Sequence, residues 1–102
     1  MVKAVENLTA LTLRLHARTA HPRLGEWDLA TCEVLASLPV PGMADLISPN
    51  PKGSRLSLAI RRELLQDVEL GATVHLRARL GSSGDILAEP YPATGDFRVE
   101  RP

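Results

Sequence analysis

Two stretches in which apolar and polar side chains strictly alternate constrain this chain most. In the first, positions 11, 13, 15 and 17 carry leucine or alanine, and the positions between them are polar. In the second, positions 74, 76, 78 and 80 are apolar and positions 73, 75, 77 and 79 are polar. A period of two is typical of a β-strand that buries one face. The chain is therefore expected to fold around a sheet with a single inward face.

The rest of the chain continues this alternation, and proline and glycine residues interrupt it. We predict strands over residues 8–18, 27–38, 54–61, 72–81 and 84–89, and a last short strand around Phe97 and Val99. The spacing of Leu64, Leu65 and Val68 predicts a short helix over residues 61–67. Residues 39–54, rich in proline and glycine, are expected to form a long loop.

The second strand carries apolar residues on both of its faces. The inner face is expected to hold four small or apolar side chains: Ala30, Cys32, Val34 and Ala36. Since Trp27, Leu29 and Leu35 have the other parity, the strand is either covered on part of both faces or interrupted by a β-bulge.

Several short strands at regular spacing favour a small β-barrel or sandwich. We predict one mostly-β domain over residues 1–102, with an ordered core over 7–99. It should be a five- to six-stranded antiparallel barrel with one short helix between the third and fourth strands. The predicted buried residues are Leu11, Leu13, Leu15, Leu56, Leu58, Ile60, Val74, Leu76 and Leu80.

Composition removes several classes of function. Twelve basic and twelve acidic residues give zero net charge, so the strongly basic balance of many nucleic-acid-binding domains is missing. The single cysteine cannot form an internal disulfide, which fits a reducing cytoplasm. The first residues do not form the apolar core of a signal peptide, and no apolar run approaches the roughly 20 residues of a membrane helix. A cytoplasmic location without membrane contact is therefore expected.

The order of elements from residue 57 to residue 80 carries a family resemblance. The run Ser57-Leu58-Ala59-Ile60, then Leu64-Leu65, then Leu70-Gly71-Ala72-Thr73-Val74-His75-Leu76, resembles the second half of an oligonucleotide-binding (OB-fold) barrel. A strand, a short helix and a Gly-led, Val-centred strand occur in this order in bacterial single-strand-binding proteins, and the resemblance covers about residues 8–90. It implies binding of single strands on exposed aromatic rings, for which this chain offers only Trp27, Tyr91 and Phe97.

The polar sides of the two alternating strands are basic. Arg14, His16 and Arg18 lie on one side of the first strand, and His75, Arg77 and Arg79 on one side of the fourth. The resemblance implies that these two strands are neighbours, which would join the six side chains in one basic, acid-free patch. Guanidinium groups in such a patch could hold phosphates or an acidic protein surface. The alternative is that these are ordinary solvated positions, with counter-charges supplied by loops or by a neighbouring chain.

The end of the long loop is a second candidate anion site. Lys52 and Arg55 flank Gly53 and Ser54, so two cations and free backbone amides could meet one anion there. The alternative is a plain turn that carries solvated charges.

The pattern indicates no enzyme and no cofactor. The potential metal ligands His16, His21, His75 and Cys32 lie at no standard zinc spacing. Cys32 sits mid-strand among apolar residues, where a thiol behaves as a small hydrophobe. No Gly-x-Ser-x-Gly motif or pair of carboxylates suggests nucleophilic or acid–base catalysis.

Two functional hypotheses follow. The first is a non-enzymatic module that binds single-stranded nucleic acid through the basic face and the Lys52–Arg55 segment. The second is a protein-interaction or assembly module that joins a larger complex or a homo-oligomer through its long loop or an exposed strand edge.

Overall fold

The computed structural model describes residues 6–47 and 50–102, and its strands form a closed barrel with one strand added. Within the described residues the strands are β1 (Thr9–Ala20), β2 (Trp27–Pro39), β3 (Arg55–Arg61), β4 (Thr73–Leu80), β5 (Ile86–Ala88) and β6 (Arg98–Glu100). One 3-10 turn, Arg62–Leu65, lies between β3 and β4. The predicted mostly-β barrel with one short helical segment in this position is confirmed.

The sheet closes because β1 is paired on both of its edges. The strands follow one another around the barrel in the order β1-β2-β3-β5-β4, and β4 pairs back with β1. The pairs are antiparallel except β3–β5, which are parallel where Ala59 meets Leu87. The extra strand, β6, lies along the first half of β4, with Val99 opposite Val74.

The inward faces of the strands supply the core that the alternation predicts. Leucines 11, 13, 15, 56 and 58 are buried, as are Ile60, Val74 and Leu76. Leu80 is the exception, since it is only half-buried at the end of β4. Among the three aromatic residues Phe97 packs against the core, whereas Tyr91 is exposed.

The two ends of the barrel are plugged by segments outside the strands. Where β1 begins, the loop after β2 crosses the opening: Ala44 bridges to Asn7, Asp45 accepts a 2.6 Å hydrogen bond from Thr9, and Ile47 is buried in the core. At the opposite end, Leu65 of the 3-10 turn is fully buried. Part of the predicted loop 39–54 therefore closes one end of the barrel. Residues 48 and 49 of this loop lie outside the described part.

A β-bulge in β2 explains why apolar residues occur on both faces of its predicted alternation. Leu13 is opposite Val34 and Thr12 is opposite Ala36, so Leu35 has no partner of its own on β1. The extra residue reverses the alternation beyond it. The predicted inner position of Ala36 is consequently wrong: Ala30, Cys32 and Val34 are buried, but Ala36 is exposed.

A second bulge lies in β1 at His16. Leu15 pairs with Cys32 and Ala17 with Thr31, so His16 is skipped. Beyond it Arg18 is opposite Ala30, which is fully buried, and directly opposed residues share a face of the sheet. The prediction that Arg18 continues the outward row of Arg14 is wrong, because the bulge turns it toward the barrel end.

Truncating a core leucine tests the face assignment. Leu76 is 4% exposed and Leu70 is 57% exposed. We expect Leu76→Ala to lower the free energy of unfolding by about 2–5 kcal/mol, through lost burial and the cavity left behind. Leu70→Ala, the matched control, should change it little. Equal stability of the two variants in urea unfolding would contradict the assignment.

Candidate functional site

The two basic trios lie on neighbouring strands but not side by side. β1 and β4 pair as expected, with Thr12 opposite His75 and Ala10 opposite Arg77. The last residue of β1 that pairs with β4 is Arg14, which is opposite Thr73. The trio of β4 is thus displaced along the barrel from that of β1, and the cations form a diagonal band.

Acidic residues from other elements enter this band, so the predicted acid-free patch is wrong. Arg77 is bound by Asp96 at 2.9 Å, and the atoms Arg77 Nε and Glu89 Oε1 are 3.7 Å apart. His16 lies 3.3 Å from Glu33, which is also 4.0 Å from Arg14. The counter-charges come from β2 and from the segment after β5.

His75 is likewise satisfied by its neighbours. Its Nδ1 is 3.2 Å from the Thr12 hydroxyl, and its Nε2 is 3.2 Å from Arg98 and 3.3 Å from Glu100. Both residues that approach Nε2 belong to β6. The β1–β4 band therefore carries balanced ion pairs, as the solvated-surface alternative expects.

Arg18 belongs to a different cluster at the closed end of the barrel. Its guanidinium binds Asp28 at 2.8 Å and donates to the Leu65 carbonyl at 2.6 Å. Arg62 donates to the other oxygen of Asp28 at 2.9 Å. Burial alone would raise the pKa of Asp28, but the hydrogen bonds from Arg62 and Arg18 outweigh it and hold this pKa below its usual value. The cluster fastens the 3-10 turn to β1 and β2.

The loop end at Lys52 lacks the free amides that an anion nest requires. The Gly53 amide donates to the Val34 carbonyl at 2.7 Å, and the Ser54 amide donates to Pro51 at 3.0 Å. Lys52 and Arg55 are both exposed, and Arg55 lies opposite Glu33 across β2–β3. The segment is a hydrogen-bonded turn that presents two cations.

Arg79 is the member of the predicted set whose surroundings resemble a binding site. It is exposed, faces Leu87 across β4–β5, and has no ion pair with any residue in 6–47 or 50–102. It lines two adjoining clefts of about 550 and 390 Å³. Four residues line both clefts, in addition to those that line only one: Asn7, Met43, Arg79 and Leu87. We name this joined cleft the Arg79 groove.

One end of the Arg79 groove carries an exposed aromatic ring. Tyr91, 80% exposed, lines the groove, and the guanidinium carbon of Arg61 lies 4.5 Å from the centre of its ring. This is within the range of a cation–π contact. Arg61 also bonds to Glu63 at 3.0 Å and is opposite Trp27 in the β2–β3 register. Two of the three aromatic residues of the chain therefore flank one arginine.

Arg61 connects the groove to a further cleft. This cleft, of about 470 Å³, is lined by Arg18, Glu26, Arg61, Arg62, Glu63 and Gln66. The Arg79 groove, the Arg61–Tyr91 pair and this cleft together form a path across the outer surface, which we call the arginine track. The sequence did not indicate Arg61 and Tyr91 as partners, because Arg61 lies where the predicted third strand and the predicted helix meet and Tyr91 is 30 residues further along the chain.

Potential metal ligands and the single thiol were natural candidates for chemistry in this fold. No group of three or more His, Cys, Asp or Glu side chains in residues 6–47 and 50–102 could hold a metal ion. Cys32 is fully buried, and burial raises the pKa of its thiol to about 12. A thiol in that state is a poor nucleophile at neutral pH.

Comparisons with known proteins leave the site to be interpreted from its own geometry. No family model, curated protein or solved structure matches the chain. Within the described residues, no helix has the length and apolar character required to cross a membrane.

The buried thiol gives a simple test of the core. A thiol reagent at neutral pH should leave Cys32 unmodified in the folded protein and modify it fully in denaturant, because burial blocks access and disfavours the thiolate. Mass spectrometry before and after unfolding measures this. Rapid stoichiometric labelling of the native protein would contradict the buried position.

The Asp28 cluster predicts a pH-dependent contribution to stability. A carboxylate whose pKa is lowered by folding stabilises the native state above its usual pKa, 3.8, and loses that effect as pH falls through the lower folded value. At pH 7 we expect Asp28→Asn to cost about 1–3 kcal/mol through weakened charged hydrogen bonds. Denaturant unfolding measures the difference in free energy of unfolding between Asp28→Asn and wild type, and this difference should become smaller below pH 3.8. Equal stability of the two proteins at pH 7 would contradict this role.

Proposed function

We propose that this protein is a non-enzymatic module that binds single-stranded nucleic acid along the arginine track. The observation that carries the proposal is the exposed Tyr91 ring in contact with Arg61, beside the guanidinium of Arg79, which has no ion pair within the described residues. Every nucleobase offers a flat face, so an exposed aromatic ring stacks on bases with little regard to sequence. A guanidinium nearby offers forked donors to phosphate oxygens.

The groove suits an extended strand better than a compact ligand. It runs from the β4–β5 hairpin, at Gly81–Ser83, through Arg79 and Leu87 to Pro90 and Tyr91. Leu87 and Met43 offer apolar surface for bases, and Arg79, directly opposite Leu87 across β4–β5, offers a cation beside it. A single strand presents unstacked bases and anionic phosphates, and proteins bind it by combining stacking surfaces with cationic groups.

The charge balance predicts moderate, salt-sensitive affinity. The clefts of the track are also lined by four acids, Glu6, Glu26, Glu63 and Glu89, and the chain has no net charge. Long-range attraction of a polyanion is therefore absent, and binding depends on a few local phosphate contacts. Arg55 and Lys52, exposed on β3 and on the turn before it, extend the cationic surface.

The topology of the barrel adds support. The closed order β1-β2-β3-β5-β4, with a helical turn between β3 and β4, is similar to the oligonucleotide-binding barrel that the sequence resembles. The proposal places the protein in the cytoplasm, in line with its single unpaired thiol. The β1–β4 band, with Arg14, His16, His75 and Arg77, contributes little to the proposed binding of nucleic acid, because acids already bind most of its cations.

Matched variants test the proposal. Binding of a fluorescent single-stranded oligothymidylate is measured at two salt concentrations. Tyr91→Ala should weaken binding by about 5- to 150-fold, since a stacked base contributes about 1–3 kcal/mol, and Tyr91→Phe should retain it. Arg79→Glu should weaken binding and lower the salt slope by about one phosphate contact.

The control for Arg79→Glu is Arg98→Glu. It makes the same charge change at an exposed arginine on β6, outside the track. Equal loss from the two substitutions would reduce the effect to net charge and overturn the assignment of the track. So would wild-type binding that does not weaken with salt.

A further inference from the structure

The Arg79 groove contains a carboxylate close to its exposed aromatic ring. Glu89 and Tyr91 line the same cleft of about 390 Å³, with Pro90 between them in the chain. The Glu89 amide donates to the Arg77 carbonyl at 2.9 Å, which extends the β4–β5 ladder by one residue. Directly opposed residues share a face of the sheet, so the side chains of Glu89 and Arg77 lie together on the outer face. The carboxylate therefore belongs to the wall of the groove.

Arg61 fixes the position of the ring. Its guanidinium carbon lies 4.5 Å from the centre of the Tyr91 ring, and its Nη1 donates to the Pro90 carbonyl at 3.4 Å. β3 thereby holds the segment that carries both Glu89 and Tyr91. Arg61 covers one face of the ring, and the side chain is 80% exposed, so a base can stack on the other face. A base stacked there lies in the cleft that Glu89 lines, with an edge toward the cleft wall.

The protein satisfies Glu89 only in part. Its Oε1 is buried and accepts no hydrogen bond from any donor in residues 6–47 and 50–102. Its ion-pair partner is Arg77, whose Nε is 3.7 Å away, beyond hydrogen-bond distance, and has no hydrogen-bond partner in the same ranges. The Nη1 of Arg77 binds Asp96 at 2.9 Å, so one arginine serves two acids. A buried acceptor without a donor is costly, and a ligand that donates to it recovers that free energy.

The edges of the four bases differ in the donors that they offer to a carboxylate. Guanine has two adjacent donors on its Watson–Crick edge, the ring N–H and the 2-amino group, which match the two oxygens of a carboxylate. The amino groups of adenine and cytosine each stand beside a ring-nitrogen acceptor, and the ring N–H of thymine stands between two carbonyl oxygens. These acceptors repel a carboxylate, so guanine is the base that suits Glu89 best.

We propose that the arginine track selects guanine at the position next to Tyr91, where Glu89 accepts hydrogen bonds from the ring N–H and the 2-amino group. The selection rests on the proposed function, since it assigns the base preference of that same site. Tyr91 supplies the stacking surface, and Arg79 binds a phosphate of the same strand. The carboxylate turns about its last side-chain torsion, which has a broad minimum, so that both oxygens face the base.

The test uses single-stranded oligothymidylate in which one central thymine is replaced. Wild type should bind the strand with one guanine about 5- to 150-fold more tightly than plain oligothymidylate, the range for a good bidentate contact with a base. Adenine or cytosine at the same position should give no gain. Hypoxanthine, which is guanine without the 2-amino group, should lose most of the gain. Equal affinity for the guanine and hypoxanthine strands would overturn the proposal.

Glu89→Gln tests the residue itself. The amide keeps the shape of the side chain but offers one acceptor and one donor, so the ratio of guanine to thymine affinity should fall to near one. Glu69→Gln makes the same change at an exposed glutamate before β4, outside the track, and should keep the wild-type ratio. Circular dichroism verifies that both variants are folded. A wild-type ratio in folded Glu89→Gln would overturn the assignment.

The two proposals fail in different ways. Equal binding of all the strands by wild type overturns the selection of guanine and leaves the binding of nucleic acid intact. A protein that binds none of the strands, the guanine strand included, overturns both. The base replacements need no protein variant, so they decide the matter even if Glu89→Gln does not fold.

Discussion

The structure depends on the pairing of β1 with two strands at once. Its first half, up to Arg14, is hydrogen-bonded to both β2 and β4, which turns an open sheet into a barrel. Its second half extends past the start of β4 and pairs with β2. The bulge at His16 lies at this transition and turns Arg18 onto Asp28. The ion cluster that holds the 3-10 turn over the barrel end therefore depends on the part of β1 that extends beyond β4 and on its bulge.

Closure also decides how a chain with no net charge distributes its cations. Strands that are distant in sequence bring acids beside the β1–β4 band: Glu33 from β2, Glu100 from β6 and Asp96 from the segment before it. On the other side of β4, Arg79 has Leu87 and Met43 as neighbours. The same residue type is neutralised on one arc of the barrel and available on the next. The proposed polyanion-binding surface therefore depends on the local arrangement of cations and not on total charge.

The loop after β2 contributes both to the core and to the Arg79 groove. Ile47 is a plug for the core, and Asp45 is fixed by the Thr9 hydroxyl, so this part of the loop contributes to stability. Met43 lines the Arg79 groove a few residues earlier. Closing the barrel and shaping the candidate site are thus coupled through a short stretch of chain. Changes to the loop are expected to affect both.

The sequence by itself determined the class of fold, the approximate strands and nearly all of the core. Period-two alternation is a local property, and the cost of burying guanidinium groups leaves only one orientation for each alternating strand. It also indicated an irregularity in β2, because Leu35 and Ala36 could not both keep an inward rhythm. Cys32 was correctly assigned to the core for the same local reason.

Tertiary structure decided the rest, since it depends on register and on bulges. One extra residue at His16 or Leu35 reverses every side chain beyond it, and no local pattern fixed where the extra residue would lie. The acidic partners of Arg77 and His75 come from chain segments up to 25 residues away, and the contact of Arg61 with Tyr91 joins β3 to the segment after β5. Such contacts arise only in the folded sheet, because the pairing of strands brings together segments that the sequence keeps apart.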